Sequence, residues 1–270
     1  MIYCDRELSR KLERSEARAN ADLVDTRLSL FPDCGAKWID VGGTYAMFDE
    51  VDSPLTQTFG LGIFEDATAD IFDEIEAFFR ERGSSVFHEV SPMADVSLLG
   101  MLSSRGYVPI EQTNVMYLDL RDYEPFQPMN RDILARLIKP SEADHWAEVA
   151  AGGWATEGEG LSDFMLAFGK IAARARGGHA FIAELKGRSI ATGGFHIYDD
   201  VCILAGASTI PDARRFGAQN ALLAARLKFA IDHGCKLAMM GALPGSQSQK
   251  NAQRNGFNIA YTRTKWQLTI

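Results

Sequence analysis

The stretch 208–257, STIPDARRFGAQNALLAARLKFAIDHGCKLAMMGALPGSQSQKNAQRNGF, sets two arginines and a glycine between a short apolar run and a long helix-forming run. If CILAGAST just before it is a strand and AQNALLAARLKFAIDHG a helix, PDARRFGA is the turn that joins them. The first amides of a helix have no internal partner and sit at the positive end of its dipole, so such a turn can receive an anion. Gly217 removes a side chain that would block close approach, and Arg214 and Arg215 add positive charge. A plain structural turn, or a solvated basic corner, is the alternative reading.

Working outward, the same order of elements occurs twice. IFDEIEAFFRERG (71–83) has helical periodicity and ends in Gly, as does LLAARLKFAIDHG (222–234). Each is followed by a strand-like run closed by Pro, SSVFHEVSP or CKLAMMGALP, and then by a further helix. RGY (105–107) or NGF (255–257) comes next, and then an extended segment, VPIEQTNVMYLDL or NIAYTRTKWQL. Upstream, the second half reads as strand 132–140, helices in 142–154 and 162–175, and strands HAFIAEL, SIATGGFHIY and VCILAGAST. The first half offers a long helix near 7–30 and strands AKWIDVGG, TYAMFDE and TQTFGLGI. The expected fold is α/β, two tandem copies of one unit, each a mixed, partly antiparallel sheet with helices on both faces. The copies are expected at 1–122 and 131–270, joined by the proline-bearing linker 121–132.

Bulk properties narrow the function. A chain of 270 residues with 46% apolar and 24% charged residues is that of a globular protein. A net charge of −8 argues against a surface built for nucleic acid or anionic membrane, while leaving room for a local basic patch. Cys4, Cys34, Cys202 and Cys235 are widely spaced with no metal-ligand spacing, so no metal site and reduced thiols in a cytoplasmic protein are expected. The charged N-terminal stretch lacks the apolar core of a signal peptide, and no apolar run is long enough to span a membrane.

The motif R-x-x-G-x-(G/A) from Arg214, followed by an Ala- and Leu-rich helix, resembles the pyrophosphate loop of the GNAT N-acetyltransferase superfamily. IPD before it and NGF after it fall where that family has V-x-P-(E/D) and its closing G-F, so the resemblance covers most of 131–270. Gln219 departs from the usual Gly or Ala, a position where backbone amides make the phosphate contacts. The resemblance implies acetyl-CoA as cofactor and direct acetyl transfer to an amine of a small molecule or an exposed protein amine. A non-catalytic acyl-CoA binding or sensing module is the alternative. It further implies cofactor contacts from Ser208, Thr209, Ile210, Arg214, Arg215, Phe216, Gly217, Ala218, Gln219 and Asn220, and from Ser246 and Asn251 at the last helix. Ser246 also reads as a simple N-cap. In the family the pantetheine lies between two splayed strands, here CILAGAST and KLAMMGAL, with amides near Ser208 and Thr209 polarising the thioester.

Three residues are candidates for the chemistry itself: Thr209, Ser248 and Tyr261. The family's proton-donating tyrosine, four residues before the glycine of G-F, is replaced by Ala252, which leaves Tyr261 as the nearest in sequence. Trp154, Glu157 and Glu159, with Asp163 and Phe164, are candidates to receive a cationic amine, although a solvated acidic loop has the same composition. His196 and Tyr198 read either as acid/base groups or as ordinary sheet residues. Counting back from the closing glycines of the two repeated helices, Ile63, Phe64, Glu65 and Asp66 stand opposite Arg214, Arg215, Phe216 and Gly217. Carboxylates at the phosphate position repel a polyanion, so 1–122 reads as a degenerate copy without a coenzyme site.

Overall fold

The computed structural model describes residues 2–156, 158 and 160–269. In chain order the elements are α1 (Arg6–Leu30), β1 (Lys37–Val41), β2 (Thr44–Phe48), β3 (Gln57–Phe59), α2 (Ala69–Arg80), β4 (Val86–Val90), α3 (Ser97–Ser104) and β5 (Val108–Asp119). There follow β6 (Ile133–Leu137), α4 (Ala143–Trp154), α5 (Leu161–Ala172), β7 (Gly178–Leu185), β8 (Arg188–Tyr198) and β9 (Val201–Thr209). The last are α6 (Ala218–Asp232), β10 (Leu237–Ala242), α7 (Gln247–Arg254) and β11 (Asn258–Leu268). Among the described residues no helix is long and apolar enough to cross a membrane.

The chain forms two compact units, one of Met1–Leu118 with Met239–Ile270 and one of Asp119–Ala238. These bounds differ from the expected halves 1–122 and 131–270, because the chain's last strand finds its partners in the first unit. β11 lies antiparallel to both β4 and β5, with Thr264 opposite Val90 on one side and Thr262 opposite Asn114 on the other. The strand order of this unit is therefore β1-β2-β3-β4-β11-β5-β10. The pleat of β2 divides its side chains between two cores. Tyr45 and Met47 pack with Ala17, Ala21 and Val24 of α1, while Ala46 and Phe48 join Phe72, Ile75 and Phe79 of α2.

The second unit is an antiparallel sheet in the order β9-β8-β7-β6. On one face Trp146, Val149 and Ala150 of α4 cover Ala180 and Ile182 of β7. Phe229 of α6 meets Phe181 and Phe195 edge-on, with centroids 5.6 and 5.5 Å away.

The register between the two repeated helices needs one correction. Thr68 is the N-cap of α2 and Gly217 that of α6, so Glu65 and Asp66 stand opposite Arg214 and Arg215 themselves. The closing glycines mislead by two residues, because α2 has 12 residues against 15 in α6 while its turn before the glycine is only one residue longer.

Candidate functional site

After β9 the chain makes one turn of 3-10 helix over Pro211–Ala213, and Arg214 then extends at φ −62° and ψ 150°. Arg215 follows with φ 71° and Gly217 with φ 93°, both left-handed. For Arg215 that conformation is unfavourable by about 1–2 kcal/mol, so the surrounding contacts must hold the loop. Gly217 is needed for its dihedral angle, since an added Cβ would come no nearer than 3.6 Å to Asn130.

Gly217 caps α6 without a side-chain acceptor, and the first turn of this 15-residue helix carries no acidic residue. The first helical hydrogen bond runs from Ala221 N to Gly217 O, which leaves the amides of residues 218–220 without intrahelical acceptors. Donors, dipole and the exposed Arg215 thus coincide at one helix end.

The polar side chains around the loop are engaged within the protein. Gln219 Nε2 donates to Ser208 O at 2.9 Å and Thr209 Oγ1 at 2.8 Å, tying the first turn of α6 to the end of β9. Arg214 donates to Gly153 O at 3.0 Å and Thr156 Oγ1 at 3.2 Å, which sets its charge at the C-terminal end of α4. Asn220 Oδ1 accepts from Met129 N, and Asn130 Nδ2 donates to Phe216 O. Ser208 is buried, bonded through Oγ to Ala150 O and Thr192 Oγ1. The side chains of Ser208, Gln219 and Asn220 are therefore structural, which leaves any cofactor contact of these residues to their backbone atoms. Phe216 is 52% exposed, Ala218 is buried and Ile210 packs on the α4 core. Asn130, Gly153 and Thr156 were not singled out from sequence, since their roles depend on partners 58–86 positions away.

Beside the loop, β9 bulges. Thr192 pairs with Ser208 and Gly194 with Ala205, so Gly193 alone opposes Gly206 and Ala207. Ala205, Gly206 and Ala207 are exposed, and Gly206 has φ 59°.

The bulged strand, the glycine turn and the helix end without a side-chain cap follow one another along the chain. Residues 143–257 match the sequence model of the acetyltransferase (GNAT) family. That segment is a GNAT domain. The family's chemistry is acyl transfer from acyl-CoA to an amine. No curated protein matches the chain significantly. Among solved structures the chain is similar to a GCN5-related N-acetyltransferase from Kribbella flavida, with 17% identity, a TM-score of 0.64 and coverage of 93% of this chain and 94% of that one. It is also similar to a GCN5-related N-acetyltransferase from Sphaerobacter thermophilus, with 15% identity, a TM-score of 0.58 and coverage of 83% and 76%. A tandem GNAT protein from the clavulanic acid biosynthesis pathway gives 12% identity, a TM-score of 0.58 and coverage of 83% and 78%. At these identities the likeness establishes the fold.

Trp154 ends α4 with its indole Nε1 buried and without a hydrogen-bond partner among the described residues. Glu157 and Glu159 lie outside the described residues. Phe164 stacks on Phe168 at 6.2 Å along α5, and Asp163 is exposed. His196 lies in β8 opposite Gly178, and Tyr198 opposite Val201.

The remaining expected residues lie in the first compact unit. Ser246 is the N-cap of α7, accepting from Gln249 N at 3.2 Å, and Ser248 and Asn251 are exposed on that helix. Asn251 Oδ1 accepts from Gln247 Nε2 at 2.7 Å. Ala252, at the family's tyrosine position, is buried. Tyr261 is also buried, and its hydroxyl donates to Glu13 Oε1 at 2.8 Å. Burial, and then the Glu13 charge, push its pKa well above the ordinary value. The hydroxyl proton of Tyr261 is thus directed at Glu13.

The turn that precedes α2 has the opposite polarity. Arg6 donates to Gly62 O and Ile63 O, and Arg10 to Ile63 O at 2.8 Å, so the loop turns carbonyls toward α1. Arg14 lies over the Phe64 ring at 4.0 Å. A cavity of about 270 Å³ beside α2 is lined by Asp66 and Asp95.

Proposed function

We propose that this protein transfers an acetyl group from acetyl-CoA to a primary amine, on a small molecule or an exposed protein, by direct attack. The observation that carries the reading is the uncapped N-terminus of α6 behind Gly217, with Arg215 exposed beside it. In this reading the amides of residues 216–220 and the Arg215 guanidinium hold the pyrophosphate. The Ser208, Thr209 and Ile210 backbone, continuing from the bulge, holds the pantetheine arm. Acetyl-CoA supplies an activated thioester. The chain's own contribution is to orient it, with strand amides facing the oxygen on which negative charge develops.

The repeat 131–270 carries this site, and 1–122 is a copy that has lost it. Arg6 and Arg10 occupy the carbonyls of the 62–64 turn, and carboxylates replace arginines at positions 65 and 66. Trp154, Glu157 and Glu159 are the candidates to receive the acceptor, since aromatic and acidic groups suit a cationic amine. With Tyr261 committed to Glu13, proton delivery to the departing thiolate falls to water, Thr209 or Ser248. A thiol with pKa near about 8.5 leaves as thiolate at small cost near neutral pH. The alternative, a non-catalytic acyl-CoA binding module, is favoured by one observation, the buried Ala252 in place of the family's tyrosine.

Release of CoA thiol from acetyl-CoA, followed across a panel of amines, tests the proposal. Amine-dependent release supports the transferase, binding without release supports the module, and no binding overturns both.

A further inference from the structure

Arg226 stands in the middle of α6 and is 4% exposed. Its Nε donates to Leu222 O at 3.2 Å within the helix, and its Nη1 donates to Gly194 O of β8 at 3.1 Å. A Cβ on Gly193 would come within 2.8 Å of the guanidinium carbon and 2.9 Å of Nη1, so a larger residue there would displace the guanidinium from this position. Among the described residues no carboxylate is paired with this guanidinium. Burial pulls its pKa down to about 10, with the Cys202 thiol acting weakly in the other direction, so the group stays charged at neutral pH.

A buried cation without a counter-charge is expensive, typically by several kcal/mol even after relaxation. Packing alone does not explain it, because a methionine would fill the same volume with no charge to desolvate. Hydrogen bonding alone does not explain it either, because a neutral amide can donate to a carbonyl. The location is informative. Gly193 is the residue opposite the β9 bulge, and Gly194 pairs with Ala205 at its edge. A bulge breaks the regular ladder, and a carbonyl beside it needs a donor from elsewhere. Arg226 supplies that donor from behind the sheet, while Ala205–Ala207 remain exposed.

We propose that Arg226 is a positioning residue for acyl transfer, fixing the β8–β9 bulge from behind and placing a positive field beneath the backbone that receives the acyl thioester. The inference rests on the acetyltransferase reading given above. Strand amides facing the thioester oxygen act as partial positive charges, and a full charge behind them, shielded from water, acts in the same direction. The guanidinium never touches the substrate; it acts through the geometry and potential of β9.

Isotope-edited infrared spectroscopy of carbonyl-labelled acetyl-CoA on the full chain provides the test, because it needs no acceptor. In the wild type the bound carbonyl band should lie below its frequency in free acetyl-CoA. Arg226→Met should return it to the free position, and Arg226→Gln should remove most of the shift. Arg226→Lys, which keeps the charge, should retain the greater part. The CoA dissociation constant by calorimetry should stay within about twofold in all three, since the phosphate site is at the other end of the turn. An unshifted wild-type band, or a Gln variant with the wild-type band, overturns the proposal. If the Met variant does not fold, the Gln and Lys variants decide. A wild type that binds no CoA removes the acetyltransferase reading as well, whereas CoA binding with an unshifted band removes this inference alone.

Discussion

Tyr261 donates its hydroxyl to Glu13 across 2.8 Å, joining β11 at the end of the chain to α1 at its beginning. The bond sits in a buried group in which Arg263 pairs with Glu16 at 2.6 Å and with Glu89 at 2.9 Å. Removing one partner of an ion pair buried this way is strongly destabilising, because it leaves an uncompensated charge. They mark where β11 inserts. Tyr261→Phe should therefore lower stability by about 1–2 kcal/mol in chemical denaturation. Turnover should fall by much less than the roughly hundredfold expected of a lost acid catalyst. A hundredfold loss of kcat in a folded variant would restore Tyr261 as the acid.

Glu13 and His88 give opposite pH dependences. Burial pushes Glu13 from 4.5 up to about 7, opposed by Arg263, so the folded state holds a proton that the unfolded chain releases. That contribution, on the order of 3 kcal/mol, is present below pH 4.5 and is lost as the pH rises through 7. His88, bonded to Thr58 and Tyr107 inside the first unit, is held neutral by burial down to about pH 3. Its contribution is present above pH 6.5 and is lost as the pH falls. Between these limits the two slopes cancel in the wild type. In Glu13→Gln, which keeps an acceptor for Tyr261, stability should drop from pH 6.5 to 4.5 more steeply than wild type, by up to about 1.4 kcal/mol per pH unit. Parallel urea-denaturation profiles would refute the assignment.

Arg215→Glu should raise the CoA dissociation constant at least about tenfold, because one charge-assisted contact is worth roughly 1.5–3 kcal/mol. Gly217→Asp should do the same, adding a carboxylate and straining a φ of 93°. Thermal unfolding should show both variants folded. Unchanged affinity by calorimetry would show that the α6 terminus is not the phosphate site.

Titration should reach saturation at one CoA per chain. The 62–64 turn has its carbonyls bonded to Arg6 and Arg10, and Asp66 lines the cavity beside it. Two equivalent sites would show that 1–122 has kept its coenzyme function.

Gly153→Ala should lower stability by about 1–3 kcal/mol, the usual range for overpacking. A Cβ there would lie 2.5 Å from the Cβ and Oγ of Ser208 and 3.0 Å from Thr209 N, where α4 meets β9. Adding Ser208→Gly should recover part of the loss. A Gly153→Ala variant as stable as wild type would show that α4 can move away freely.

The elements themselves were legible in the sequence. Apolar spacing in 71–83 and 222–234 marked two helices, and the repeated order of runs marked two copies, because periodicity and turn chemistry are properties of neighbouring residues. The uncapped loop at Arg214–Gly217 was legible for the same reason: a glycine before an Ala-rich helix declares a helix end without reference to the rest of the chain. Partners far along the chain were decided only by tertiary structure. β11 passes between β4 and β5, so the compact units depart from the repeat. Gln219 and Arg214, which read as ligand contacts, are committed to Ser208, Thr209 and Gly153. The burial of Arg226 against Gly193 could not be read locally. Strand pairing and buried polar contacts are set by which surfaces meet when water is excluded. In this chain those surfaces are as much as 248 residues apart.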